Sequence, residues 1–285
     1  IWSSDEPYAT SPERDTRPVA ERIVRLRAEL ARLMGYATFA DYALDDRMAK
    51  TPAAVDALLM SVWEPARLRA LEERRDLEAL AAKEGLAAPL RGWDWLYYAE
   101  RLRKERYALD ETELKPYFSL DRMIEAMFDA AGRLYGVAFK EITGVPLYHP
   151  DARLFEVRSA ADGAMVGIFI ADPYTRPTKR GGAWMNDYRC QSRNRPGAYP
   201  YPIIVNNTNF AKAPEGKPTL LSLDEVRTLF HEFGHGLHGL LSDVTYNRLS
   251  GTNVLRDFVE LPSQINEHWA LTPAILKRHA LHAVT

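Results

Sequence analysis

The segment from residue 222 to residue 241 constrains this chain more than any other. Ser222 and Glu225 form the pattern of a capping box, in which a serine and a glutamate three residues later begin a helix. His231 and His235 are four positions apart, so a helix projects both side chains from one face, one turn apart. The residues expected on the opposite face are apolar: Val226, Phe230, Phe233, Leu237 and Leu241. The sequence therefore predicts a helix with one side in a core and its histidine side facing a cleft.

The histidine side reads His-Glu-x-x-His, and two imidazoles at this spacing can bind one zinc ion. A carboxylate for a third ligand lies downstream, between residues 257 and 264. Two histidines and one carboxylate leave the fourth zinc position open for water, as in catalytic sites. A structural site would need four protein ligands, usually including thiolates, and the chain has one cysteine. Glu232 is predicted to be the general base. Gly234 is small enough to let another segment approach the helix.

The alternative interpretation of this pattern is a surface helix that carries two histidines by chance. Three features weigh against it: the helix faces are segregated, a carboxylate follows downstream, and six of the seven histidines lie after position 230. The metzincin pattern is excluded because it requires Gly and His where this chain has His238 and Leu241. We interpret His238 as a group that supports a ligand or packs nearby. His268 has an open role, and three histidines are interpreted as structural or exposed: His149, His279 and His282.

Periodicity predicts three regions within one domain. Residues 1–145 are helical, residues 146–215 form a small β-hairpin and sheet region that lines the cleft, and residues 216–285 hold the zinc-binding helices. Four helices are predicted in the first region, over residues 22–34, 51–80, 93–106 and 120–134. Pro65 should kink or break the second of them.

In the middle region, strands are predicted over residues 154–158 and 166–170, joined by a hairpin turn at Asp162-Gly163. A third strand is predicted over residues 203–205. Gly181-Gly182, taken alone, is typical of a turn or a bulge. The fold class is therefore mainly α with a small antiparallel β-sheet, an α+β protein.

Charge and composition exclude several classes of partner. The net charge of −2 gives no reason to expect nucleic acid or an anionic membrane surface. We find no apolar run long enough to span a bilayer and no signal peptide. The single cysteine, Cys190, cannot form an internal disulfide and weakly favours a reducing compartment. We expect a cytoplasmic monomer. The first residue is Ile, so the chain is expected to be processed or a fragment.

Four segments together resemble the thimet oligopeptidase family of zinc peptidases, and most closely its bacterial peptidyl-dipeptidase and oligopeptidase A branch. The two core segments are LFHEFGHGLHGL at residues 229–240 and LSGTNVLRDFVELPSQINEHW at residues 249–269. KRGGAWM at residues 179–185 and WDWLYYAERLRKER at residues 93–106 also fit this branch. The resemblance spans most of the chain.

The resemblance implies a set of site residues. His231, His235 and Glu260 match the ligands of one zinc ion per chain, and Glu232 matches the catalytic glutamate. Further residues are implied with roles in substrate binding (Gly181, Gly182 and Ala183) or in support of the ligands (His238 and Gln264).

The resemblance also implies a fold and an activity. The expected fold is a two-lobed helical shell around a deep channel, with the zincin-type His-Glu-x-x-His helix in it, and the expected substrates are short peptides. Cleavage would release dipeptides or occur internally. Family members are longer, so this chain is expected to be a truncated catalytic domain without a later Gly- and Tyr-rich segment that contacts substrate. Two alternatives stay open: a catalytically incompetent zinc-binding fragment, and a zinc hydrolase of a non-peptide substrate.

Overall fold

The computed structural model of the chain describes residues 15–86, 89–107, 111–194 and 201–283. The chain forms two compact units, Ile1–Asp110 and Glu111–Thr285. The helices are α1 (Arg17–Leu33), α2 (Phe39–Leu44), α3 (Pro52–Lys83), α4 (Gly92–Tyr107), α5 (Glu111–Leu114), α6 (Leu120–Tyr135), α7 (Leu223–Leu240), α8 (Glu260–Ala270) and α9 (Pro273–His279). The strands are β1 (Val137–Ile142), β2 (Arg153–Ser159), β3 (Met165–Tyr174), β4 (Trp184–Arg189) and β5 (Ile203–Phe210).

The first unit is built from helices α1 to α4, and its helix predictions are confirmed with small shifts of the ends. Thr51 begins α3, because its hydroxyl oxygen accepts a hydrogen bond from the Ala54 N–H and Pro52 occupies the first turn. Of the predicted kink or break at Pro65, the break is wrong, because α3 continues through this residue to Lys83, and the kink stays a prediction. A proline removes one hydrogen bond from the helix ladder, and the turns on both sides of Pro65 continue that ladder.

The sheet of the second unit has the strand order β1-β2-β3-β5-β4. The predicted hairpin is confirmed as β2 and β3, which pair antiparallel, and Gly163 in its turn has a φ of 73°. The third predicted strand is confirmed and extends to Phe210. The prediction of a wholly antiparallel sheet is wrong. Because β5 inserts between β3 and β4, it pairs antiparallel with β4 and parallel with β3, and the sheet is mixed. The α+β class is confirmed.

The main core lies between helices α6 and α7 and one face of this sheet. Phe169 of β3 and Phe233 of α7 are fully buried, with ring centroids 5.3 Å apart. Phe128 of α6 stacks on Phe139 of β1 at 4.1 Å. Side chains from alternate positions of the same strands, including Ile170, form a smaller apolar cluster. Helix α7 is therefore fixed by aromatic packing along its apolar side.

Two further predictions concern membrane-spanning segments and the division of the chain into regions. Among the described residues, no helix combines the length and the apolar character that crossing a membrane requires. The division into regions at residues 145 and 215 stays a prediction, and its first region includes residues 1–14, which lie outside the described part of the chain.

Candidate metal centre

Helix α7 begins with the predicted capping box, which is confirmed. The Ser222 hydroxyl accepts a hydrogen bond from the Glu225 N–H at 3.2 Å, and the Glu225 carboxylate accepts one from the Ser222 N–H at 2.7 Å. Four of the five residues assigned to the apolar face are buried, but Leu241 is 36% exposed. Leu241 lies just past the end of α7, where the chain leaves the core.

Helices α7 and α8 pack closely because of the glycine between the two histidines. A Cβ atom added to Gly234 would lie 2.6 Å from the Cα atom of Ser263, far inside van der Waals contact with α8 backbone. The prediction that Gly234 lets another segment approach is thus confirmed. The Asn266 side-chain amide also joins the helices, because it donates a hydrogen bond to the Phe230 carbonyl oxygen at 2.7 Å. This packing brings Glu260, the first residue of α8, to the histidine side of α7.

Three side chains converge at this junction. The Nε2 atoms of His231 and His235 lie 3.2 and 3.1 Å from the same oxygen, Oε2 of Glu260. One potential ligand atom from each of the three residues lies within 4.8 Å of the others. Zinc–ligand bonds of about 2.0–2.2 Å at tetrahedral angles place ligand atoms roughly 3.3–3.5 Å apart. The two imidazoles and the carboxylate therefore fit a zinc ion in chemistry, and their nitrogen–oxygen separations of 3.2 and 3.1 Å lie slightly below that spacing.

Glu267 of α8 orients one of these imidazoles. Its Oε1 lies 2.7 Å from His231 Nδ1, and a carboxylate at this position favours the tautomer with the proton on Nδ1, which leaves Nε2 free to bind a metal ion. Sequence reasoning missed Glu267. The signal for it was spacing, because Glu267 follows Glu260 by seven residues, two helical turns along the same face.

Ser263 holds the carboxylate of Glu260. The Ser263 hydroxyl oxygen lies 2.8 Å from the Glu260 carbonyl oxygen and 3.1 Å from Glu260 Oε2, and both are acceptors for its proton. Burial lowers the pKa of His235, which favours the neutral imidazole that binds metals. The Glu260 carboxylate opposes this shift.

Glu232 lies between the two histidines in sequence and is buried, with 6% of its surface exposed. Burial raises the pKa of Glu232 from 4.5 to about 7, while His231 acts to lower it and Glu260 to raise it further. A carboxyl group with a pKa near neutrality can both accept and return a proton at physiological pH.

The four residues face a cleft of about 360 Å³. The facing wall is the start of β4, and the lining side chains beyond the four are Ala183, Trp184, Met185, Thr252 and Val259. In the part of the sheet that the structure describes, β4 is an edge strand, because only β5 pairs with it. The cleft therefore has the histidine helix on one side and a strand edge on the other.

The remaining predicted site residues lie around this cleft or away from it. Ala183 lines the cleft, and Gly181 and Gly182 precede it in an exposed loop. His238 lines a different cavity of about 530 Å³, and burial lowers its pKa. Gln264 is exposed on α8. Their roles stay predictions.

Comparison with known proteins gives one consistent family. The model of peptidase family M3 matches residues 3–285. The chain is 44% identical over 269 residues to the dipeptidyl carboxypeptidase of Salmonella typhimurium, covering 94% of this chain and 39% of that protein. It is 39% identical over 263 residues to oligopeptidase A of the same organism, covering 92% of this chain and 38% of that protein. A probable thimet oligopeptidase of Arabidopsis thaliana is 34% identical over 260 residues, covering 91% and 37%.

These relatives confirm the resemblance that the four sequence segments indicated. The chain spans less than two-fifths of the length of each of them. The match covers the histidine helix, the helix that carries Glu260 and the strand edge opposite them. The chain belongs to peptidase family M3.

Proposed function

We propose that this chain carries the zinc centre of a metallopeptidase that hydrolyses peptide bonds in short oligopeptides. The observation that supports the proposal best is the convergence of His231 Nε2 and His235 Nε2 on one oxygen of Glu260. The names of the relatives, dipeptidyl carboxypeptidase and oligopeptidase A, agree with this substrate class. The same proposal includes the two-lobed zincin shell, the monomeric state and the cytoplasmic location.

In this proposal, His231, His235 and Glu260 hold the metal, and Glu267 keeps the His231 ring in the binding tautomer. A zinc ion held there would supply Lewis-acid polarisation of the scissile carbonyl and a more acidic water molecule. The Glu232 carboxylate then accepts a proton from the attacking water and later donates it to the leaving amine nitrogen. Burial of Glu232 supports this role, because in the metal-free site it raises the pKa of the carboxyl group to about 7. A bound zinc ion would act to lower this pKa and so favour the ionised form that accepts the first proton.

Substrate binding is assigned to the strand edge. An extended peptide can add to the free edge of a sheet through main-chain hydrogen bonds. The start of β4 and the preceding Gly181, Gly182 and Ala183 lie where such a peptide would pass the metal ligands. Glycines at this point carry no side chains that would screen a peptide from the backbone, although the Gly182 carbonyl oxygen already accepts a hydrogen bond from Asn209.

The test is cleavage of a short quenched-fluorescent peptide by the zinc-loaded chain, with Glu232→Gln as the variant and Glu215→Gln as the control. Glu215 is exposed and lies outside the site. Glutamine has nearly the shape of glutamate but cannot accept the proton, so we expect Glu232→Gln to lose activity by at least about 10²–10⁴-fold.

Three results would redirect the proposal. A chain that binds zinc but cleaves no peptide would be the catalytically incompetent fragment that the sequence left open. Cleavage of a non-peptide ester or amide, with peptides inert, would favour a zinc hydrolase of another substrate. Near-normal activity of Glu232→Gln would mean that another residue is the base.

A further inference from the structure

The wall of the cleft that faces the metal ligands is carried by a loop, and two groups of contacts tie this loop to the sheet. The loop is residues 175–183, between β3 and β4. At its far end, the Asn209 side-chain amide donates to the carbonyl oxygens of Arg180 and Gly182, both at 2.7 Å. Asn209 belongs to β5, the neighbour of β4 in the sheet. One side chain thus fixes the backbone just before Ala183 enters the cleft wall.

Lys179 ties the middle of the loop. Only 3% of its side chain is exposed. Its ammonium lies 2.8 Å from the Asp172 carbonyl oxygen and 3.2 Å from Asp172 Oδ1. It also contacts the carbonyl oxygens of Tyr174, at 2.9 Å, and Thr208. An ammonium has three protons, and four acceptors already surround this one. Lys179 therefore has no donor left for a substrate, although it lies only four residues before Ala183.

The carboxylate that receives Lys179 is fully buried and has donors on both oxygens. The Arg176 guanidinium donates to Asp172 Oδ1 and Oδ2, each at 2.7 Å, and the Tyr148 hydroxyl donates to Oδ2 at 3.1 Å. A buried, fully paired carboxylate of this kind is costly to disturb. Through Lys179 and Arg176, the Asp172 carboxylate therefore fixes the loop to the end of β3.

We infer that Lys179 and Asn209 are positioning residues that hold residues 179–185 as a rigid wall at a fixed distance from the metal ligands. Neither residue contacts the substrate in this inference. They set where the backbone of Gly182, Ala183 and β4 stands, and thereby how well an extended peptide pairs with it. The consequence for peptide binding rests on the proposed function, whereas the consequence for the loop itself does not.

Asn209→Asp is the sharpest variant, because aspartate keeps the shape of asparagine but places a carboxylate opposite two carbonyl oxygens. Glu141→Gln is the control. It weakens the ion pair of Glu141 with Arg153, and Glu141 belongs to β1, which lies at the other edge of the sheet from β4. Hydrogen exchange of the zinc-loaded chain should show faster exchange at residues 179–189 in Asn209→Asp and no change there in Glu141→Gln.

The same variants are then compared in cleavage of the quenched-fluorescent peptide. We expect KM to rise about tenfold in Asn209→Asp with kcat within about twofold of the wild type, because lost pairing at the strand edge weakens binding of ground state and transition state alike. Lys179→Met should act in the same direction, and its zinc content should stay at the wild-type value because the ligands are untouched.

The outcomes distinguish the positioning role of Asn209 and Lys179 from the proposed peptidase function. Unchanged exchange at residues 179–189 in Asn209→Asp would overturn the positioning role, and so would faster exchange with an unchanged KM. If the wild-type chain cleaves no peptide, the proposed function fails, and hydrogen exchange alone decides whether Asn209 and Lys179 hold the loop. Should Lys179→Met fail to fold, Asn209→Asp still decides the question, because Asn209 is only partly buried.

Discussion

At the scale of single residues, the site combines three converging ligands with the carboxyl group of Glu232, which is buried although its ionised form is more stable in water. Glu232 is buried, and no hydrogen bond or ion pair of this side chain is seen in the described part of the chain. Burial that raises the pKa of a carboxyl group stabilises its protonated form and destabilises its ionised form in the folded protein. The residue that we assign to proton transfer is therefore also a source of instability.

This cost gives a prediction for the metal-free chain. Because folding raises the pKa of Glu232 from 4.5 to about 7, the stability that it contributes is full below about pH 4.5 and is lost as the pH rises through 7. A shift of this size corresponds to a change on the order of 3 kcal/mol. We expect Glu232→Gln to gain stability over wild type by this order between pH 4.5 and 8, measured by urea unfolding.

The control for this measurement is Glu215→Gln, the same change of glutamate to glutamine at an exposed position outside the site. If the free energies of unfolding of Glu232→Gln and wild type keep a constant difference from pH 4.5 to 8, Glu232 does not titrate as a buried group.

Glu267 provides a second prediction at this scale. Its Oε1 lies 2.7 Å from His231 Nδ1, and such partners of metal-binding histidines typically contribute about 10–100-fold to metal affinity. Glu267→Ala should weaken zinc binding by that factor, measured by competition with a chromogenic chelator. His268→Ala, on the next residue of the same helix, is the matched control. Equal zinc affinity in Glu267→Ala and wild type would show that the contact does not orient the ring.

At the scale of elements, the site depends on the close approach of α7 and α8. Gly234→Ala tests this directly, because the new methyl group would lie 2.6 Å from the Ser263 Cα atom. Alanine normally stabilises a helix by about 1 kcal/mol relative to glycine. Here we expect the opposite sign, with lower thermal stability and weaker zinc binding as α8 moves Glu260 away.

Gly92→Ala is the reference for Gly234→Ala, because a Cβ atom at Gly92 of α4 would meet nothing within 4 Å. Calorimetry of both variants, with and without zinc, makes the comparison. If Gly234→Ala is as stable as Gly92→Ala and binds zinc with normal affinity, then α7 and α8 have space for the added methyl group, and the site does not depend on this glycine.

The elements also show what the sequence could predict. Helix α7 was predictable because its capping box and its 3.6-residue period are local signals. Strands β1 and β4 were missed. Strand β4 has no consistent apolar alternation, and its pairing with β5 depends on residues about 20 positions away. The parallel pairing of β3 and β5 has no local signal, because it arises from the insertion of one strand between two others. Glu267 was missed although its spacing from Glu260 is a local signal, because its partner His231 lies on another helix.

At the scale of the whole molecule, the chain corresponds to 39% of the length of its dipeptidyl carboxypeptidase relative. Leu261 and Ile265 on α8 are 49% and 47% exposed, so part of the helix that bears Glu260 presents apolar surface. In the longer family members, a later segment is expected to contact substrate. Where such a segment donates to the developing oxyanion, losing one donor typically lowers kcat by about 10²–10³-fold. We expect the kcat/KM of this chain for a short peptide to lie at least about 100-fold below that of the full-length Salmonella relative.

That comparison uses the same quenched-fluorescent peptide, the same zinc concentration and active-site titration of both proteins. Equal kcat/KM values would mean that the matched region alone carries the catalytic groups.

The central claim is that His231, His235 and Glu260 bind one metal ion, and zinc content after exhaustive dialysis tests it most directly. The measurement compares wild type with His235→Ala, and with His268→Ala as a control that removes an exposed imidazole from α8. We predict one zinc ion per chain in wild type and in His268→Ala, and none in His235→Ala, because two ligands do not retain the ion against dialysis. The same zinc content in wild type and His235→Ala, or none in wild type, would contradict the account.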